Sequence, residues 1–103
     1  MDSIQRAALA TWHSAEFPEY LQRLHATLGL AGESGEYAEL VKKDAFKPGH
    51  VSDRQTRLDE LGDVLYYVAI LAHLDDATIA DVARMNADKL RGGHGWQPDN
   101  FNF

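Results

Sequence analysis

The sequence predicts an all-α fold, a helical bundle of about four helices, on three observations. Apolar residues recur at intervals of three and four rather than two. The prolines, Pro18, Pro48 and Pro98, fall outside the long periodic stretches. A cap-forming residue or a helix-opening proline stands at the start of each stretch.

Taken in order, Asp2 or Ser3 caps a short first helix running toward His13. Phe17-Pro18-Glu19 then opens a long second helix reaching about Lys43, which Lys47-Pro48-Gly49-His50 ends. Ser52 or Asp53 caps a third helix to about His73, and Asp75-Asp76 caps a fourth from about Thr78 to Leu90, stopped by Gly92 and Gly93. The third should be the most buried, because Leu58, Leu61, Val64, Leu65, Tyr67, Val68, Ile70, Leu71 and Leu74 leave little of its circumference polar. The remainder, His94 to Phe103, reads as a tail that docks on the body or on a neighbouring subunit.

A chain of 103 residues with 45% hydrophobic content fits one domain over residues 1–103, without internal repeat or low-complexity segment. A chain this short buries only about 60–65% of its unfolded surface, so self-association would help it. The formal net charge of -6 argues against a nucleic-acid polymer as partner, since such binding rests on Lys and Arg neutralising phosphates. A small anion remains allowed if a metal ion or a local cationic site receives it. The absence of cysteine excludes disulfides, thiolate metal sites and a Cys nucleophile. No stretch approaches the apolar length of a spanning helix, which leads us to expect no membrane association and a soluble, cytoplasmic protein.

Four acids stand out from the other charged residues. Glu33 and Glu36 are three residues apart on the second helix and project from one face about a turn apart. Leu30, Tyr37 and Leu40 lie close to Glu33 in angle, whereas Glu39, Lys42 and Lys43 fall in a sector that reads as solvated. The third helix repeats the arrangement with Glu60 and Asp63, and Val64, Tyr67 and Leu71 share the face of Glu60 while Asp59 points elsewhere.

One such pair is ordinary surface acid. Two matched pairs, each set among apolar residues on separate long helices, would converge if the helices packed antiparallel, and uncompensated negative charge there is costly. A cation is required. Oxygen ligands without His or Cys in the motif favour Mg²⁺ or its substitute Mn²⁺ over Zn²⁺. A carboxylate-bridged di-iron bundle would want Glu-x-x-His, which neither pair supplies.

Two further features need a reason. Gly29, Gly32 and Gly35 sit inside a helix, where each costs about 1 kcal/mol relative to Ala; with Ala31 and Ala38 they make a slim helix that a neighbour or a ligand can approach closely. On the fourth helix Asn86 falls on the same face as Ile79, Val82, Ala83 and Leu90. Asn86, Lys89 and Arg91 offer donors and positive charge for the far end of a phosphate chain, although basic residues at a helix C-terminus also complement its dipole.

The segment Leu28-Gly-Leu-Ala-Gly-Glu-Ser-Gly-Glu-Tyr-Ala-Glu-Leu-Val-Lys-Lys43, with Leu58-Asp-Glu-Leu-Gly-Asp-Val-Leu-Tyr-Tyr67 and Asn86-Ala-Asp-Lys-Leu90, resembles the MazG-like nucleoside triphosphate pyrophosphohydrolases. The resemblance spans about residues 28 to 91. It implies the all-alpha NTP pyrophosphatase fold, a homodimer or a tetramer made of two dimers, and Mg²⁺-dependent cleavage of an NTP or dNTP to the monophosphate and pyrophosphate. It assigns metal binding to Glu33, Glu36, Glu60 and Asp63, and phosphate or sugar contacts to Lys43, Asn86 and Lys89. Many relatives follow the Lys-Leu pair with two basic residues and a Tyr-Pro. This chain reads Lys89-Leu-Arg-Gly-Gly-His-Gly-Trp96 and so lacks one arginine, leaving Arg91 or His94 to make its contact, or leaving the grip on phosphate weaker.

On this reading water attacks the α-phosphorus in line, and Glu36 is the preferred acid to orient it or take its proton. Trp12 and His13 are the expected base contacts among the aromatics Trp12, Phe17, Tyr66, Tyr67 and Trp96 and the imidazole of His13. A rival substrate within the enzyme class is phosphoribosyl-ATP. A rival from another class is a non-catalytic, dimerising module that binds a regulatory nucleotide such as an alarmone, for which the missing arginine is the best support.

Overall fold

A computed structural model of the chain describes residues 1–93, so the expected docking of the tail and the alternatives placed on His94 and Trp96 lie outside the described residues. Four α-helices follow one another: α1 (Ser3–Ala10), α2 (Glu19–Phe46), α3 (Arg54–Leu74) and α4 (Ile79–Asp88). No strand occurs among the described residues. No described helix is long and apolar enough to cross a membrane.

The helix ends follow their local chemistry. The Asp2 carboxylate accepts from the backbone N–H of Gln5 at 3.0 Å, and the Gln5 side chain answers at the Asp2 N–H, a reciprocal cap for α1. The same carboxylate accepts from the Ile79 N–H at 2.9 Å, so one acid serves the first turns of α1 and α4. α1 ends at Ala10, short of His13. Asp53, not Ser52, caps α3 by accepting from the Thr56 N–H.

The cap of α4 differs from expectation. Thr78 fills it, its hydroxyl accepting from the Asp81 N–H while Asp81 accepts from the Thr78 N–H. Asp75 instead closes the C-terminus of α3 and pairs with Arg23 at 2.9 Å, and Asp76 turns the chain at φ 57°. The Thr-x-x-Asp signature outcompetes the Asp-Asp pair because it satisfies two orphan N–H groups reciprocally. Beyond Asp88 the helix widens into a π-type turn over Lys89–Gly93, where Gly92 leaves helical geometry at φ 90°.

α2 and α3 form the main pair, with α1 and α4 packed on α3. Glu33 meets Asp63, and one turn back along α2 Gly29 meets Tyr67, one turn forward along α3, so the two run antiparallel. The core gathers Ala8, Trp12, Ala26, Ala69 and Ile70, with Tyr66, Tyr67, Leu71, Leu74 and Ile79 packed against it.

α3 carries more buried residues than any other helix, but only in its C-terminal half. Leu58 and Leu61 in the N-terminal half, and Leu65 just past the midpoint, remain exposed. The α2–α3 loop turns at Gly49 with φ 78°. It is tied by Asp44, which accepts from the backbone N–H of the buried Ser52 at 2.7 Å, from the Ser52 hydroxyl, and from His50 Nδ1 at 2.8 Å.

Candidate metal centre

The antiparallel packing brings Glu33 from α2 together with Glu60 and Asp63 from α3, an oxygen of each lying within 4.8 Å of the others. Glu33 and Glu60 are half-buried and Asp63 is exposed, so the group sits at a rim rather than in the core. Burial pushes the Glu33 carboxyl above the ordinary glutamate value, and the charges of Asp63, Glu60 and Glu36 push it further. Among the described residues the ion pairs of Lys and Arg all lie elsewhere, and none reaches these three acids. Three converging hard oxygens with no side-chain cation between them fit a divalent ion of the Mg²⁺ class.

A pocket of about 290 Å³ opens beside the acids, lined by Glu33, Asp63, Tyr66 and Tyr67. Its aromatic wall belongs to a connected set: Tyr66 and Tyr67 meet edge to face at 5.1 Å, and Trp12 and Tyr67 at 6.5 Å. Burial raises the Tyr67 phenol, with Glu33, Tyr66 and Asp63 adding to the shift. Tyr67 reaches this position because residue 29 is glycine: a Cβ there would stand 2.8 Å from Tyr67 Cδ1 and closer to Cε1 and Cζ. The slim helix thus admits a neighbouring side chain at Gly29, while Gly32 and Gly35 face open space among the described residues.

The remaining candidate residues are distributed as follows. Glu36 lies one turn beyond Glu33, exposed and outside the converging group, its charge still acting on Glu33. Lys43, read from sequence as solvated, is half-buried; it is seven residues from Glu36, which returns it to the same flank of α2 after two turns. Lys42 points away and pairs with Glu39 at 3.2 Å.

Asn86, Lys89 and Arg91 are all exposed, and Arg91 pairs with Asp88 at 3.3 Å. Within one chain nothing described links them to the acids. Trp12 is only 6% exposed and donates its Nε1–H to Gln22 Oε1 at 2.9 Å, so its ring belongs to the core. His13 is exposed in the turn after α1 and does not line the pocket.

Two features escaped the sequence reading, the seating of Tyr67 on Gly29 and the position of His25 against Trp12. The first had a signal in the four-residue step from Asp63 to Tyr67, which shares a helix face. The second depends on how the turn after α1 folds back, and periodicity carries no record of it.

Residues 22–96 match the family model described as the MazG nucleotide pyrophosphohydrolase domain. The "Gene 37 protein" of Mycobacterium phage L5 is 41% identical over 70 residues, which make up 65% of this chain and 61% of the phage protein. The chain therefore spans less than two thirds of the length of that relative. No solved structure matches significantly.

Proposed function

The chain belongs to the MazG nucleotide pyrophosphohydrolase family, and from that premise we propose that residues 1–103 form a single domain that hydrolyses nucleoside or deoxynucleoside triphosphates to the monophosphate and pyrophosphate in the cytoplasm. The observation that carries the proposal is the convergence of Glu33, Glu60 and Asp63 with no ion pair to any of them among the described residues. These three residues would hold Mg²⁺, which would supply charge neutralisation of the phosphates and a more acidic bound water.

The protein's own groups do the rest. The acid rim beside the pocket fixes where the triphosphate enters, and Tyr66 and Tyr67 wall off water on one side. Glu36, exposed and outside the converging group, is free to take the proton of the water that attacks the α-phosphorus as the α–β bridging bond breaks. Lys43, on the same flank, neutralises charge on the departing pyrophosphate, and Asn86, Lys89 and Arg91 serve the phosphates from the neighbouring subunit of a homodimer or a dimer of dimers.

One observation supports self-association. Tyr20, Leu24 and Leu28 form an exposed apolar stripe on α2 at 71%, 53% and 63% exposure.

The test is a turnover screen of the common NTPs and dNTPs, with phosphoribosyl-ATP beside them, with and without Mg²⁺. Glu36→Gln and Asp63→Asn should fold yet lose Mg²⁺-dependent pyrophosphate release. Full turnover in both variants would refute the assignment. Nucleotide binding without pyrophosphate formed over hours would favour the regulatory-nucleotide module.

A further inference from the structure

His25 is exposed, yet it is held at two points. Its Nδ1 stands 2.6 Å from the hydroxyl of Ser14, itself only 8% exposed. One face of its ring stacks on Trp12 at a centroid distance of 4.7 Å and an interplanar angle of 27°. Trp12 is fixed in turn through Gln22. Covering Trp12 needs no such apparatus, because a leucine would bury the indole without a buried hydroxyl to orient it. Held in one orientation between Ser14 and Trp12, with Tyr67 tilted beside it at 6.4 Å, the ring stays exposed overall, and no described side chain hydrogen-bonds its Nε2.

Placement adds a second argument. His25, Gly32, Glu36 and Lys43 fall within about 40° of one another around α2, on the flank beside Glu33. His25 lies eight residues before Glu33, about 12 Å along the axis. Between them Gly32 presents bare backbone, with nothing within 4 Å. A nucleotide whose phosphates are anchored at the acids and which lies along this flank places its planar end over His25.

We propose that the outer face and Nε2 edge of His25 form the seat of the substrate's nucleobase, with Trp12 as the rigid backing and Ser14 as the group that sets the ring's orientation. This rests on the pyrophosphohydrolase reading above. The ring face supplies stacking that any base accepts, and the edge supplies one hydrogen-bonding position that distinguishes bases.

The test is calorimetric titration of the full chain, in Mg²⁺, with α,β-imido analogues of the four dNTPs and with inorganic tripolyphosphate. His25→Ala should lose roughly tenfold in affinity for the analogues and keep the wild-type affinity for tripolyphosphate. His25→Phe should retain most of the affinity while narrowing the spread of Kd among the four bases, and Ser14→Ala should narrow it too. Far-ultraviolet circular dichroism checks that each variant is folded.

Equal losses for analogues and tripolyphosphate, or no loss for either, would overturn the proposal. So would wild-type protein that binds the analogues no tighter than tripolyphosphate, a result that leaves the metal and phosphate reading standing. Wild-type protein that binds neither ligand would overturn both.

Discussion

Adding one methyl group at Gly29 tests the packing that builds the pocket wall. The new Cβ would sit 2.8 Å from Tyr67 Cδ1 and nearer two other ring atoms, inside any tolerable contact. The ring is flanked by Tyr66 at 5.1 Å, His25 at 6.4 Å and Trp12 at 6.5 Å, and the room it has to yield is toward the pocket it lines. Overpacking of this kind costs about 1–3 kcal/mol, while replacing a mid-helix glycine by alanine returns about 1 kcal/mol. Gly29→Ala is therefore expected to lose about 0–2 kcal/mol, and each kcal/mol corresponds to roughly 4–8 °C in Tm. Gly32→Ala meets nothing within 4 Å and should gain about 0.5–1 kcal/mol. The propensity gain is common to both, so the difference between the variants isolates the overpacking. Urea unfolding of the two, followed by circular dichroism without metal or nucleotide, measures it. Equal stabilities would refute the close packing of Tyr67 on α2.

Three other outcomes are expected. Glu33→Gln removes a carboxyl that burial and three acidic neighbours disfavour, so the metal-free variant should be more stable than wild type at neutral pH. It should also lose the Mg²⁺-dependent stabilisation, about 2.7 kcal/mol at 100 times Kd, as read by a thermal-shift series in Mg²⁺. Asp44 is held below its ordinary value first by the Ser52 hydroxyl and then by the Ser52 N–H and His50. Its native pKa is the lower one, so its contribution to stability is complete above the ordinary aspartate range and is lost as pH falls through the native value. Asp44→Asn should flatten that acid limb in urea midpoints measured against pH, and an unchanged limb would exclude the loop tie. Leu24→Glu with Leu28→Glu should convert an oligomer to a species of 11.5 kDa in light scattering, whereas an unchanged mass would show that the stripe on α2 is not the interface.

Much of the local structure was legible in the residue order. Four helices follow from apolar spacing, and Asp53 and Thr78-x-x-Asp81 mark their own starts, the latter beside a competing cap signal in Asp75-Asp76. The two acid pairs were visible because each is an i, i+3 relation within a single helix. The glycines on α2 announced a close approach but not which glycine received it. Lys43, read as solvated, is half-buried, and its seven-residue step from Glu36 puts the two on one flank.

What the chain order determined by itself is therefore whatever depends on neighbours within a turn or two: helix identity, caps, and which acids share a face. The tertiary structure decided what depends on how α3 is rotated and registered against α2. That rotation turns Glu33 toward Glu60 and Asp63, leaves Glu36 outside, and seats Tyr67 on Gly29 rather than on Gly32. The fold-back after α1 likewise buries Trp12 beneath His25. Such choices are settled by the sum of contacts between segments distant in sequence, and no periodicity within one segment encodes the angle at which another will meet it.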